Sequence, residues 1–373
     1  MTVDAERDLV FLPTASATPD HWGGARHGTN EFANSVVALR VTTGDVVWSF
    51  QVVHHDLWDY DVAAQPVMVD IQRASKLVPA LIVGTKTGML FVLDRETGRP
   101  LSPVLELPVP KSDIETAWPT QPFTRPSLRL HSTLLTVDSM FGITPEERAE
   151  CRDRFEALAH AGMFTPPSIK GSLVWPGVWG GTNWDGMAWD QERGILIVPI
   201  KRLGMVVQLH AGSKRPPSTT STEQYFPPWH APFGVTRSPF VSSEGTPCTP
   251  PPWSELVAVD LQAESVLWRK PLGKVPWLLH LPEAQQWGSL TFGGPLITAS
   301  GLVFIAAGQD DRIRAFDIHN GELLWEHELP AGGQAAPMTF VKDGRQFVIL
   351  SAGGRAGVGS PGDWIVAFAL PQR

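Results

Sequence analysis

The sequence predicts an all-β chain built as a β-propeller of four-stranded blades, and three observations predict it. The first is internal repetition. Four segments align without gaps over twelve residues: Val37–Trp48, Phe91–Ser102, Val257–Trp268 and Arg314–Trp325. Their starts lie 54, 166 and 57 residues apart, so the middle gap is close to three periods of about 55. A period near 50 with several strands per unit is the mark of a propeller, whereas a β-sandwich would need the hairpins to coincide by chance. The second is the abundance of turn formers, 34 glycines and 34 prolines in 373 residues, which suits many short strands. The third is 15 tryptophans, a number that implies a recurring packing position or stacking surfaces for a flat ligand.

Each aligned copy reads as an alternating strand, a polar turn and a second short strand, usually ending in Trp. Gly44, Gly98 and Gly321 occupy the turns, where positive φ is often required, while the third copy carries Glu264-Ser265 instead. A truncated fifth copy is Ile365–Leu370. Before the first copy, Asp8–Pro13 reads as an inner strand of a blade already under way. The loop Thr18-Pro19-Asp20-His21-Trp22-Gly23-Gly24 follows it, then the strand Val46–Phe50, and later the buried-type strand Ala80–Gly84 before the hairpin turn at Lys86-Thr87-Gly88. From Leu105 to about Lys170 the period is lost. Residues 107–170 read as a Pro-rich insertion with a helix from Pro145 to Ala161, capped by Thr144. Residues 211–253 read as loop, being rich in Ser, Thr and Pro, and the period then returns with the strand Leu302–Ala307. The whole, 1–373, reads as one propeller domain.

Composition excludes some partners. The net charge is −8 and no long Lys/Arg run exists, so the counterion-release term of nucleic-acid binding is missing. No apolar run approaches the ~18 residues of a membrane span. Met1–Arg7 has acids where a signal peptide has bases, and no apolar run follows, so the chain as written carries no export signal. Cys151 and Cys248 fit either one disulfide or two buried thiols. No His/Cys metal spacing is present.

Two stretches carry chemistry. Val52–Asp61 places two imidazoles, three carboxylates and two large aromatic rings after a strand. Such a group is costly to bury without partners. It reads either as a tight turn whose carboxylates cap backbone amides or as a carboxylate base held in a wall of indole, with imidazole donors nearby. A metal hydrolase using His54, His55 and Asp56 is weaker, because adjacent residues of a strand point to opposite faces. Val174–Asp190 holds four indoles among four glycines, a surface suited to a planar ligand that backbone approaches closely.

Taken together, Trp58-Asp59, the Lys86-Thr87-Gly88 turn, the Thr18–Gly24 loop, Gly180-Gly181-Thr182-Asn183-Trp184 and the C-terminal loops Leu329–Thr339 and Ser351–Gly354 resemble the membrane-bound quinoprotein dehydrogenases. These enzymes oxidise glucose, quinate or shikimate with pyrroloquinoline quinone (PQQ). The resemblance covers the whole chain and corresponds to the C-terminal part of their eight-bladed propeller, in which each Trp of the repeat locks adjacent blades. It implies an incomplete ring of about five to six blades, a fragment or late start whose partner is the missing N-terminal propeller half or membrane anchor. It further implies PQQ with a divalent cation, Ca or Mg, whose principal ligands lie outside this sequence. Asp59 would be the base, Lys86 the donor to the quinone oxygens and His55 an orienting group. Thr18, Asn183 and Trp184 would be cofactor contacts. The substrate would be a sugar, glucose first, or a cyclic polyol acid such as quinate, with ubiquinone taking the electrons at the periplasmic face of the inner membrane. A non-catalytic propeller scaffold is the rival reading. It needs the repeats but not the joint presence of Asp59, Lys86 and Asn183-Trp184.

Overall fold

The computed structural model describes residues 1–73, 75–212, 216–218, 222–355 and 357–370. They form an all-β chain of short antiparallel sheets arranged in two compact units. One unit comprises Met1–Met68, Pro79–Gly181 and Arg202–Pro250, the other Val69–Val78, Thr182–Lys201 and Pro251–Arg373.

In the first unit the strands Thr2–Asp4, Leu9–Pro13, Ser35–Arg40 and Val46–Gln51 pair in sequence order into one four-stranded sheet. Alternation decides which side is covered: Phe11, Ala38 and Trp48 lie opposite one another across three strands and are buried in one core with Leu81, Val83, Phe91 and Leu93. The Trp48 indole Nε1 donates to Arg95 O (3.1 Å), and its ring lies where any side chain at Gly98 would have to go. The second unit repeats the pattern. Ala188–Asp190, Ile195–Lys201, Ser254–Asp260 and Ser265–Pro271 form a sheet, as do Leu296–Ile297, Leu302–Ile305, Arg312–Asp317 and Leu323–Glu328. There Trp268 Nε1 donates to Ile318 O (2.8 Å), and its ring backs onto Gly321.

The turn chemistry follows the repeat. Gly44, Gly98 and Gly321 have φ of 79°, 69° and 67°, and Glu264 takes the same left-handed place with φ 51°. That residue has a Cβ penalty the glycines avoid, and its buried carboxylate is held by Arg73. In three of the four copies the register slips at the same point, Ala38/Leu39, Ala258/Val259 and Ala315/Phe316.

Two expectations need correction. Residues 211–253 are not all loop, since Phe233–Pro239 is a strand paired with Met205–Ala211 and Gln224–Phe226. Its inward positions are Gly234, Thr236 and Ser238, small polar residues that hide the apolar alternation a buried strand usually shows. Ser213–Arg215 and Thr219–Ser221 of that stretch lie outside the described residues. The helix of the insertion is Pro145–Ala157, four residues shorter than predicted at its C-terminus, because Leu158 is extended. Its start is as predicted: Thr144 accepts from Glu147 N and Glu147 reaches back to Thr144 N, a reciprocal cap. From that helix Cys151 joins Cys248 in a buried disulfide that closes a 97-residue separation. Among the described residues no helix is long and apolar enough to cross a membrane.

Candidate active site

The stretch after Val46–Gln51 is organised by one carboxylate. Asp56 accepts the backbone amides of Trp58 (3.0 Å) and Tyr60 (2.9 Å) and the hydroxyl of Ser16. The capping reading of the cluster therefore holds for Asp56. Those bonds fix an alternation. Trp58 and Tyr60 turn into the core, where Trp58 Nε1 donates to Thr165 O (2.7 Å), Tyr60 donates to Pro176 O, and both rings pack on Phe164. Asp59 and Asp61 turn the other way and remain partly open to solvent. His55 and Asp59 have φ of 44° and 62°. Two left-handed residues that are not glycine, within five positions, are strained backbone of the kind that concentrates at functional sites.

Lys86 meets this pair of carboxylates. Its hairpin turn is pressed close by backbone: Gly181 N donates to Lys86 O (2.5 Å), and a Cβ at Gly180 would overlap Lys86 itself. Lys86 Nζ donates to Asp59 O (2.7 Å), Asp59 Oδ1 (3.1 Å) and Asp61 Oδ1. Burial works against the ammonium, but the two carboxylates outweigh it and the Lys86 pKa is raised. The second oxygen of Asp59 accepts from Arg237 Nη1 (3.1 Å), and the Arg237 guanidinium lies 4.3 Å from the Phe226 ring centre. Asp59 thus has one cation on each oxygen. Asp20, half-buried nearby, has a raised pKa because burial and the charges of Asp59 and Asp56 outweigh Arg237 and Lys86.

The structure therefore brings Asp59 and Lys86 together. His55 is buried beside them in sequence, but its ring nitrogens go to Gly28 O (2.9 Å) and Glu115 Oε2 (3.3 Å), not to Asp59. His54 is bonded to Gln51 (2.6 Å) and Glu106 (3.0 Å). Thr18 is exposed and precedes a cis peptide bond to Pro19. Asn183 and Trp184 belong to the other unit. There Asn183 is buried and its Oδ1 accepts Trp184 N (2.8 Å), while the Trp184 side chain is 80% exposed. Directly after them, Asp185 pairs with Lys201 Nζ at 2.6 and 2.8 Å, both fully buried.

Sequence reasoning missed Arg237, Asp20, Glu115 and the Asp185–Lys201 pair as participants. Lys201 was detectable, since a lysine closing the apolar strand Ile195–Lys201 is a buried charge in need of a partner. Among the described residues no three His, Cys, Asp or Glu side chains gather into a metal-holding cluster.

Comparison with known proteins identifies the family of the chain. The PQQ glucose/ethanol/alcohol dehydrogenase β-propeller domain matches residues 1–348. The quinoprotein glucose dehydrogenase of Escherichia coli (strain K12) is 42% identical over 99% of this chain and 48% of its own length. The probable quinate dehydrogenase (quinone) of Xanthomonas campestris pv. juglandis is 37% identical over 100% of this chain and 49% of its own. The chain thus spans about half the length of the curated relatives it matches. Among solved structures, the quinohemoprotein alcohol dehydrogenase from Comamonas testosteroni superposes with a TM-score of 0.66 at 22% identity, over 99% of this chain and 47% of its own, a likeness of fold.

Proposed function

The chain belongs to the PQQ-dependent glucose/ethanol/alcohol dehydrogenase β-propeller family, and from that premise we propose that it oxidises a hydroxyl of a sugar or polyol, glucose to its lactone first among them. Electrons leave to a quinone acceptor, ubiquinone at the periplasmic face of the inner membrane. The observation that carries this reading is Asp59, a strained carboxylate held between Lys86 Nζ and Arg237 Nη1.

The donor set suits the cofactor. An ammonium and a guanidinium side by side on Asp59 match a flat acceptor rich in carbonyl and carboxylate oxygens. When bound, PQQ supplies the hydride acceptor. Asp59 takes the hydroxyl proton. Lys86 holds Asp59 in place and offers a cation to negative charge that develops on an acceptor oxygen. His55, tied to Glu115, keeps the 54–59 backbone in its strained course. Thr18 is read as a further cofactor contact, and Asn183 and Trp184, in the other unit, as cofactor contacts of that unit. A divalent cation, Ca or Mg, belongs to the reading without ligands assigned among these residues. The names of the relatives, glucose and quinate dehydrogenases, support the substrate class. We further read the Trp48–Arg95 and Trp268–Ile318 bonds as blade-docking contacts of an incomplete ring of about five to six blades.

The test is a PQQ titration of the chain with Ca²⁺ or Mg²⁺, followed by dye reduction with glucose and with quinate. Asp59→Asn is expected to lower kcat by about 10²–10⁴ with PQQ affinity within a few fold. Full activity in that variant would remove Asp59 from the role. Preference for quinate would move the substrate to the cyclic acids, and no PQQ binding would favour a scaffold.

A further inference from the structure

The loop before the site lies alongside it. Arg26 Nη2 donates both to Pro19 O (3.1 Å) and to Asp56 O (2.8 Å), and His21 Nδ1 donates to Leu57 O (3.2 Å). Residues 19 and 21 are thus fastened to residues 56 and 57, and Asp20 between them is carried to the site. One carboxylate there has no donor. The Asp20 carboxylate accepts no hydrogen bond among the described residues, although Asp56, Asp59 and Asp61 each accept at least one. His21 is buried and its Nε2 has no partner. Because Leu57 O can only accept, the proton sits on Nδ1 and Nε2 presents a lone pair. Burial and the charges of Arg237 and Lys86 keep that ring neutral, its pKa lowered to about 3.

The open group, Asp20, is therefore an acceptor. A carboxylate or carbonyl could not satisfy it, whereas a hydroxyl could. With Asp59 reserved for the hydroxyl that is oxidised, this acceptor suits a hydroxyl on the neighbouring carbon.

We propose that Asp20 forms a subsite for the second hydroxyl of a vicinal diol, so that the site selects polyols over simple alcohols. Asp20 is here a specificity-determining residue. The inference rests on the reading of Asp59 as the group that meets the reacting hydroxyl.

The test compares propane-1,2-diol with propan-2-ol on the full chain loaded with PQQ and Mg²⁺. One hydrogen bond to a charged group is worth roughly ten- to hundred-fold in affinity. The wild type is expected to show a KM for the diol at least about ten-fold below that for propan-2-ol. Asp20→Asn should raise the diol KM by a similar factor, leaving propan-2-ol KM, kcat and thermal midpoint near wild type. Equal loss for both alcohols, or no change, would overturn the proposal. Ligand-observed NMR with the same pair reads the preference without turnover, and absence of a diol preference there also overturns it. Turnover surviving in Asp59→Asn would sink the Asp59 assignment separately, while the diol ratio still reports on Asp20.

Discussion

Two lysine–aspartate pairs of this chain differ in what water can reach. Lys201 and Asp185 are 0% and 1% exposed, and the pair is closed: one ammonium, one carboxylate, and an aromatic ring, Phe292, 5.6 Å away. Lys86 is nearly as buried, but its partners Asp59 and Asp61 are 23% and 20% exposed, and Arg237 adds a second cation. The first pair satisfies itself and has nothing left to offer a ligand. The second keeps an open side and more acceptors than it has protons to give. The difference teaches that a buried ion pair is evidence of chemistry only when one partner still faces solvent.

The sharpest way to break that contrast is to remove Lys201. Lys201→Met leaves Asp185 buried and uncompensated, and is expected to cost about 3–5 kcal/mol in a urea titration. Lys201→Met with Asp185→Leu should recover most of it, since well-packed apolar residues replace a closed pair at little cost. A single variant as stable as wild type would show that the pair has no structural role.

How much of this was legible beforehand depends on where each signal sits. The repeated hairpins were, because alternation and a left-handed turn glycine are local properties that a period of about 55 multiplies. Asp59 and Lys86 were nameable through their motifs, 27 positions apart. Arg237 was not, because its strand turns Gly234, Thr236 and Ser238 inward and reads as loop. Glu115 lies in the insertion, and its bonds to Gly23 N and His55 depend on a fold that no local pattern announces. Asp20 was on the page as part of a loop, but a carboxylate without a donor is visible only in three dimensions.

The contrast extends to a charge that is absent. His21 is buried neutral, with a folded pKa of about 3 against an ordinary 6.5. The unfolded chain binds the proton first, so stability falls as pH drops below about 6.5 and goes on falling to about 3. By pH 4.5 the loss is about 2–3 kcal/mol. His21→Gln should flatten that part of the stability–pH curve, and an unchanged slope would assign it to other groups.

Glu147 sets the smallest effect and completes the series, as a buried carboxylate with no cation paired to it among the described residues. Burial raises its pKa, but hydrogen bonds from Thr246 Oγ1 (2.9 Å), Ile143 N (2.8 Å), Ser242 Oγ (3.0 Å) and Thr144 N (3.3 Å) outweigh burial and hold it below the usual 4.5. A lowered folded pKa means that its contribution is present above 4.5 and is lost as pH falls through the lowered value. Neutral donors thus do for Glu147 what Lys201 does for Asp185, but each bond is worth less than a cation at contact. Glu147→Gln should therefore cost only about 1–2 kcal/mol at pH 7 and less in acid, measured by urea unfolding. A loss as large as that of Lys201→Met would mean that four neutral donors and one buried cation are equivalent partners.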